Sequence, residues 1–149
     1  MSIPRHAHAA FADAIECGDL KRASECLSEF PQLVNHPDWT PPPLHCAVLW
    51  NQPEIAELLL DSGADLEMQD PDRKTTPLRY AVMYCKTEMI PLLLARGAWA
   101  GAIVDGGTTA LELAREAAGG AYEAFEDLPD RAAYSDIVKL MENLADRSE

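Results

Sequence analysis

Apolar residues fall along this chain in two alternating forms. The first is a tight run, Leu58-Leu59-Leu60 and again Leu92-Leu93-Leu94, closed shortly afterwards by Gly63-Ala64 and Gly97-Ala98. The second opens on proline or threonine, in Pro43-Leu44-His45-Cys46-Ala47, Thr76-Pro77-Leu78-Arg79-Tyr80-Ala81 and Thr109-Ala110-Leu111-Glu112-Leu113-Ala114. Both forms predict helices. Proline in a first helical turn gives up no hydrogen bond it could have made, and its fixed φ suits the turn. A threonine before it can cap the open N–H groups. Glycine just past the leucine runs supplies the left-handed residue on which helices end. Glu54, Glu57 and Asp61, three and four positions apart, share one face of the helix that carries the first run.

The two forms recur at a fixed spacing. Pro43 to Pro77 is 34 positions, Gly63 to Gly97 is 34, and Thr76 to Thr109 is 33. A period of about 33 carrying T-P-L-H-x-A resembles the ankyrin repeat. The resemblance implies an all-α solenoid of about four helix-turn-helix repeats. It covers nearly the whole chain, residues 1–149 as a single domain, with repeats near 8–36, 40–69, 75–102 and 107–146. In each repeat a short helix is followed by an antiparallel one ending in the leucine run, and a hairpin-like loop leads onward. The leucines bury against neighbouring repeats, since one repeat cannot bury its own apolar face.

Three repeats depart from the pattern. The first is degenerate: Ala14-Ile15-Glu16-Cys17-Gly18-Asp19-Leu20 aligns with residues 47–53 at an offset of 33, and Cys26-Leu27 matches Leu59-Leu60. Phe30-Pro31-Gln32-Leu33-Val34-Asn35 stands where Gly-Ala-Asp is expected, so this repeat reads as an N-terminal cap with a polar outer face. In the third repeat Pro91 falls one turn into the outer helix, which predicts a late start or a kink. The hairpin before it, residues 68–75, holds one extra residue and lacks the glycine the resemblance would place there. In the fourth repeat Ser135-Asp136-Ile137-Val138-Lys139-Leu140-Met141 matches the helix begun by Glu54. Ile55 to Ile137 spans 82 positions where two further repeats would give 67, so about 15 residues, near 119–134, are inserted. The insertion either lengthens the helices and caps the stack or projects as a binding loop.

Charge narrows the function classes. The formal net charge of -13 argues against nucleic acid, whose phosphates need a basic footprint, and against anionic membrane surfaces. It suits a basic protein partner, with solubility alone as the plainer account. No apolar window is long enough to span a bilayer. Met1-Ser2-Ile3-Pro4-Arg5-His6 has no apolar core, so no secretory signal is expected. Cys17, Cys26, Cys46 and Cys85 form no C-x-x-C pair, which points to a reducing, cytoplasmic setting.

Candidate chemistry is sparse. His6-x-His8 and His45-Cys46 are the only close His/Cys sets, and neither supplies the four convergent ligands of a zinc site, so no metal is expected. No G-x-S-x-G elbow or S-x-x-K is present, and Gly106-Gly107 and Gly119-Gly120 read as turns, not phosphate loops. The expectation is therefore no catalysis and no cofactor, with an enzyme or small-ligand protein whose site lies under the insertion as the runner-up. The resemblance gives His45 a loop-bracing role. Arg79 and Glu112 stand in its place further on, so bracing there must differ.

Residues 53–72 hold Glu54, Glu57, Asp61, Asp65, Glu67, Asp70 and Asp72 and no Lys or Arg. They form either a solvated outer face or an acidic rim that attracts a basic partner. The resemblance places a concave surface on the hairpin tips and on the first-helix positions after the motif alanine. Those positions are Glu16 and Cys17, Leu49 and Trp50, Met83 and Tyr84, and Glu116 and Ala117. Trp39 lies near a hairpin tip, and Trp99 replaces the aspartate of Gly-Ala-Asp. Tryptophan and tyrosine commonly anchor interfaces, and methionine suits adaptable ones.

The expected partner-binding residues are thus Trp39, Leu49, Trp50, Asp70, Asp72, Met83 and Tyr84, with Tyr122 and Phe125 from the insertion. The opposing reading is that the insertion, through Tyr122, Phe125, Leu128 and Tyr134, folds back and covers this face. The expected function is non-catalytic protein binding by a monomer. Its alternatives are a dedicated acidic inhibitor of a basic enzyme or toxin, of the immunity-protein kind, and a homo-oligomeric assembly subunit.

Overall fold

In a computed structural model, which describes residues 2–102, 107–121 and 129–147, the prolines and threonines set where helices begin. Pro43 opens α3 (Pro43–Leu49) and Pro77 opens α5 (Pro77–Met83). Thr76 Oγ1 accepts the Arg79 amide at 3.4 Å. Thr109 and Glu112 cap each other reciprocally at the start of α7 (Ala110–Ala118), at 3.2 and 2.8 Å. The remaining helices are α1 (Arg5–Cys17), α2 (Leu20–Glu29), α4 (Pro53–Asp61), α6 (Met89–Ala95) and α8 (Arg131–Arg147). No strand occurs among the described residues.

The inner helices α1, α3, α5 and α7 pack in succession into one row, and α2 with α4 and α6 with α8 build a second row behind it. The close approach of the inner row has a sequence cause. Ala14, Ala47, Ala81 and Ala114 recur at the repeat spacing, and all four have no accessible surface. A larger side chain there would push neighbouring helices apart. In the leucine runs only the middle residue, Leu59 or Leu93, is fully buried, and its flanking leucines pack half-buried against the core. Ile15, Ile55, Ile90 and Ile137 complete the layer between the rows.

Polar side chains tie one repeat to the next. Asn35 donates to the Gly63 carbonyl at 2.9 Å and accepts the Asp65 amide at 3.0 Å. The His45 Nε2–H donates to the Thr75 carbonyl at 2.8 Å. A carbonyl can only accept, so Nε2 carries a proton, and Nδ1 is buried and unpaired. One period later Arg79 Nη2 reaches Thr108 Oγ1 at 2.9 Å, so arginine spans the same gap by a side-chain contact. Glu112, next in the series, turns back into its own helix cap.

The departures resolve locally. The polar outer face of the first repeat is carried by α2, where Lys21, Arg22, Glu25 and Glu29 are exposed and only Ala23 and Leu27 are buried. A 3-10 turn, Pro31–Asn35, brings Asn35 to its bracing position. Pro91 produces a late start: one period of 34 beyond Pro53 would begin α6 at residue 87, and it begins at Met89. Lys74, in the long hairpin, takes the left-handed conformation at φ 49° that a glycine would have filled. The insertion is not all loop, because α8 opens at Arg131 and runs 17 residues against 9 in α4. Its Tyr134 is only 2% exposed, and the phenol donates to the Met83 carbonyl at 2.7 Å. Arg131 closes the neck of the insertion by donating to the Gly119 carbonyl at 2.6 Å.

Candidate protein-interaction surface

The inner helices end at a left-handed residue, and in α3 and α5 the position just before it carries an aromatic side chain. Asn51 and Cys85 take φ 54° and 50°, and the residues before them are Trp50 and Tyr84, the C-caps of α3 and α5. Trp50 is 48% exposed, with Leu49 half-buried beside it. Met83 is half-buried, and its carbonyl is occupied by Tyr134. Glu16, Cys17 and Glu116 are exposed at the equivalent places, whereas Ala117 is buried and presents nothing.

The structure sorts the aromatic residues into two groups. Trp39 is half-buried and committed to the first repeat: its ring meets Phe11 edge-on at 5.5 Å and His8 at 5.3 Å. Tyr84, also half-buried, packs instead against buried Tyr80, ring centres 5.0 Å apart. Arg73, from the hairpin tip, lies over both, its guanidinium carbon 5.9 Å from the Tyr80 ring and 5.8 Å from the Tyr84 ring. Arg73 Nη1 donates to the Tyr84 hydroxyl at 2.6 Å. Sequence reasoning passed over Arg73. The signal was present, because the acidic stretch ends at Asp72 and the next two residues are Arg73 and Lys74.

The acidic residues need the larger correction. Asp70, expected at the partner surface, is 2% exposed and serves its own turn. Its carboxylate accepts the Asp72 amide at 3.1 Å, its amide donates to the Thr75 carbonyl, and its carbonyl accepts from Lys74. Other carboxylates of the stretch are also occupied. Asp61 pairs with Arg96, Asp65 caps its own loop through the Glu67 amide, and Glu67 accepts the Trp99 amide at 2.8 Å. Glu54 and Glu57 are exposed, but on α4 of the outer row. Asp72 is exposed at the hairpin tip beside Arg73. Trp99 is 66% exposed on the loop after α6. Tyr122 and Phe125 lie outside the described residues.

Burial shifts several titratable groups toward their neutral forms. Burial lowers the pKa of His45, so the ring stays neutral. Burial raises the Cys46 thiol to about 11, the Tyr80 phenol to about 12, and the Cys26 and Cys85 thiols above their ordinary range. An activated cysteine needs the opposite shift. Among the described residues no three His, Cys, Asp or Glu side chains converge as metal ligands would, and no helix is long and apolar enough to cross a membrane.

A family model described as ankyrin repeats, in three copies, matches residues 44–140. The match begins within α3 and ends within α8, so α1 and α2 lie outside it. Among the curated proteins none matches the chain.

Proposed function

We propose, for a chain that belongs to the ankyrin repeat family, that it is a non-catalytic module binding a basic protein through the inner-helix face and its hairpin tips. Ankyrin repeats are in general protein–protein interaction modules, and the finer reading rests on one observation. Trp50 caps α3 with about half its surface open to solvent, beside Leu49 and one repeat from Met83 and Tyr84. Aromatic side chains placed so carry a disproportionate share of interface energy. The net charge of -13 favours a basic partner. The four free cysteines suit a reducing, cytoplasmic setting, and the expected state is a monomer.

The charge also supports a narrower reading, a dedicated inhibitor whose carboxylates occupy a phosphate-recognising site on a basic enzyme or toxin. The test is affinity capture from lysate, with wild type beside a Trp50→Ala, Tyr84→Ala double variant whose fold is checked by circular dichroism. A basic protein retained by the wild type and lost by the folded variant supports the reading. Identical recoveries by the two baits would overturn the assignment of this face. Nuclease or other enzymatic inhibition of the captured protein separates inhibitor from adaptor. A mass that rises with concentration would indicate a homo-oligomer instead.

A further inference from the structure

The long hairpin lays Arg73 on a pair of tyrosines in a chain where carboxylates outnumber basic groups two to one, 25 to 12. An arginine in such surroundings would ordinarily find an acid. Asp70 and Asp72 are its near neighbours in sequence, yet among the described residues no ion pair to Arg73 forms. Its guanidinium instead stands 5.9 and 5.8 Å from the ring centres of Tyr80 and Tyr84, and Nη1 bonds the Tyr84 hydroxyl at 2.6 Å. Those separations are within reach of cation–π attraction, for which the planar guanidinium is well suited.

We infer that Tyr80 and Tyr84 form a clamp for an arginine side chain of the basic partner, and that Arg73 occupies the clamp while the partner is absent. This deepens the proposed function and rests on it for the identity of the face. The two rings are unequally buried. Tyr80 is fixed, 3% exposed and edge-on to His45 at 5.3 Å, so it forms the floor. Tyr84 is half-buried at the C-cap and forms the wall.

Arg73 is attached differently. It is exposed, at a hairpin tip closed below by the Asp70 amide on the Thr75 carbonyl at 3.0 Å. Swinging it away leaves that bond intact and gives up its contacts with the Tyr80 and Tyr84 rings and the Tyr84 hydroxyl. An incoming arginine would then make the same ring contacts and the same hydroxyl bond, so the exchange is nearly neutral at the clamp. The outgoing Arg73 is released beside Asp72, and the rest of the interface sets the balance. The clamp thereby selects for arginine without raising the cost of the empty state, in which the rings are already satisfied.

The test is a titration with N-acetyl-arginine amide, followed through the ring resonances of Tyr80 and Tyr84, on wild type, Arg73→Gln and Lys74→Gln. Arg73→Gln vacates the clamp and should bind the probe roughly five-fold tighter than wild type, the size expected of one exposed cation–π contact. Lys74→Gln removes the same charge from the next residue without uncovering the rings, and should gain about two-fold or less by screened electrostatics alone. The neutral isostere N-acetyl-citrulline amide should not shift the rings. Adding Tyr84→Leu to Arg73→Gln should abolish the gain. Equal affinity of wild type and Arg73→Gln would overturn the clamp, and so would an equal gain in Lys74→Gln or equal binding of the citrulline probe. Because the probe is a small molecule, its failure is separate from failure of protein capture, which reads the wider face.

Discussion

Replacing Lys74 by glycine should stabilise this protein, although it removes a side chain and adds no contact. Lys74 stands in the long hairpin where a glycine is expected and holds φ at 49°. A residue with a Cβ pays about 1–2 kcal/mol for the left-handed region. Glycine escapes that cost, but its freer unfolded chain gives back about 0.4–1 kcal/mol. The Lys74 amide donates to the Asp70 carbonyl at 2.7 Å, and glycine keeps that amide. The exposed lysine side chain has little packing to lose. The net expectation is a gain of about 0.5–1 kcal/mol. With a urea slope of about 2 kcal/mol/M, the midpoint should rise by roughly 0.3–0.5 M at unchanged slope. Lys74→Ala retains the Cβ and should give no such gain. Gly63→Ala is the reverse case: φ is 94° and nothing lies within 4 Å of an added Cβ, so its loss of about 1 kcal/mol would be purely conformational. A Lys74→Gly midpoint at or below wild type would refute the argument, because it would mean the hairpin relaxes out of the left-handed conformation at no cost.

Four further outcomes are expected. Trp50→Ala should weaken binding of the captured partner by about 2 kcal/mol or more, measured by calorimetry; an equal loss of stability would make Trp50 a core residue instead of an anchor. Association should slow markedly between low and high salt while dissociation changes little, read by stopped flow, and a salt-independent association rate would remove the electrostatic argument. His45 is neutral when folded because burial lowers its pKa below the ordinary 6.5, so as pH falls through 6.5 the unfolded chain takes up a proton that the folded one refuses. Stability should therefore fall with pH below 6.5, and His45→Gln should flatten that slope in urea titrations between pH 7 and 5. Tyr134→Phe removes the donor to the Met83 carbonyl and should cost about 1 kcal/mol, seen as a lower urea midpoint.

The backbone was legible because its determinants are local and periodic. Pro43, Pro77 and Thr109 set helix starts, Gly63 and Gly97 set helix ends, and a 33–34 residue spacing carried the stacking. Even the late start of α6 followed from one proline. Side-chain commitments were not legible, because they depend on what lies one repeat away. Nothing local distinguishes Asp70, buried in its own turn, from exposed Asp72. Trp39 read as a free aromatic at a hairpin tip, but the first repeat supplies Phe11 and His8 to hold it. Arg79 stands in place of the bracing histidine, and its longer side chain reaches the Thr108 hydroxyl while its Nε stays buried and unpaired. The insertion was located by counting, yet only the structure assigns residues 131–134 to α8.

The acidic character of the chain and the specificity of its face are therefore separate matters. Of the seven carboxylates between residues 53 and 72, Asp61, Asp65, Glu67 and Asp70 hold the protein's own loops and helix ends, and Glu54 and Glu57 lie on the outer row. Asp72 alone of the seven stands exposed at the hairpin tip next to Arg73. Charge spread in this way still creates a long-range field and can draw a basic partner inward. It cannot choose among basic partners, because few of these groups stand where contact would be made. Selection at close range falls to Trp50, Leu49, Met83 and the tyrosine pair under Arg73. That division is why salt should act on the association rate, and why substitutions at Trp50 and Tyr84 should act on the lifetime of the complex.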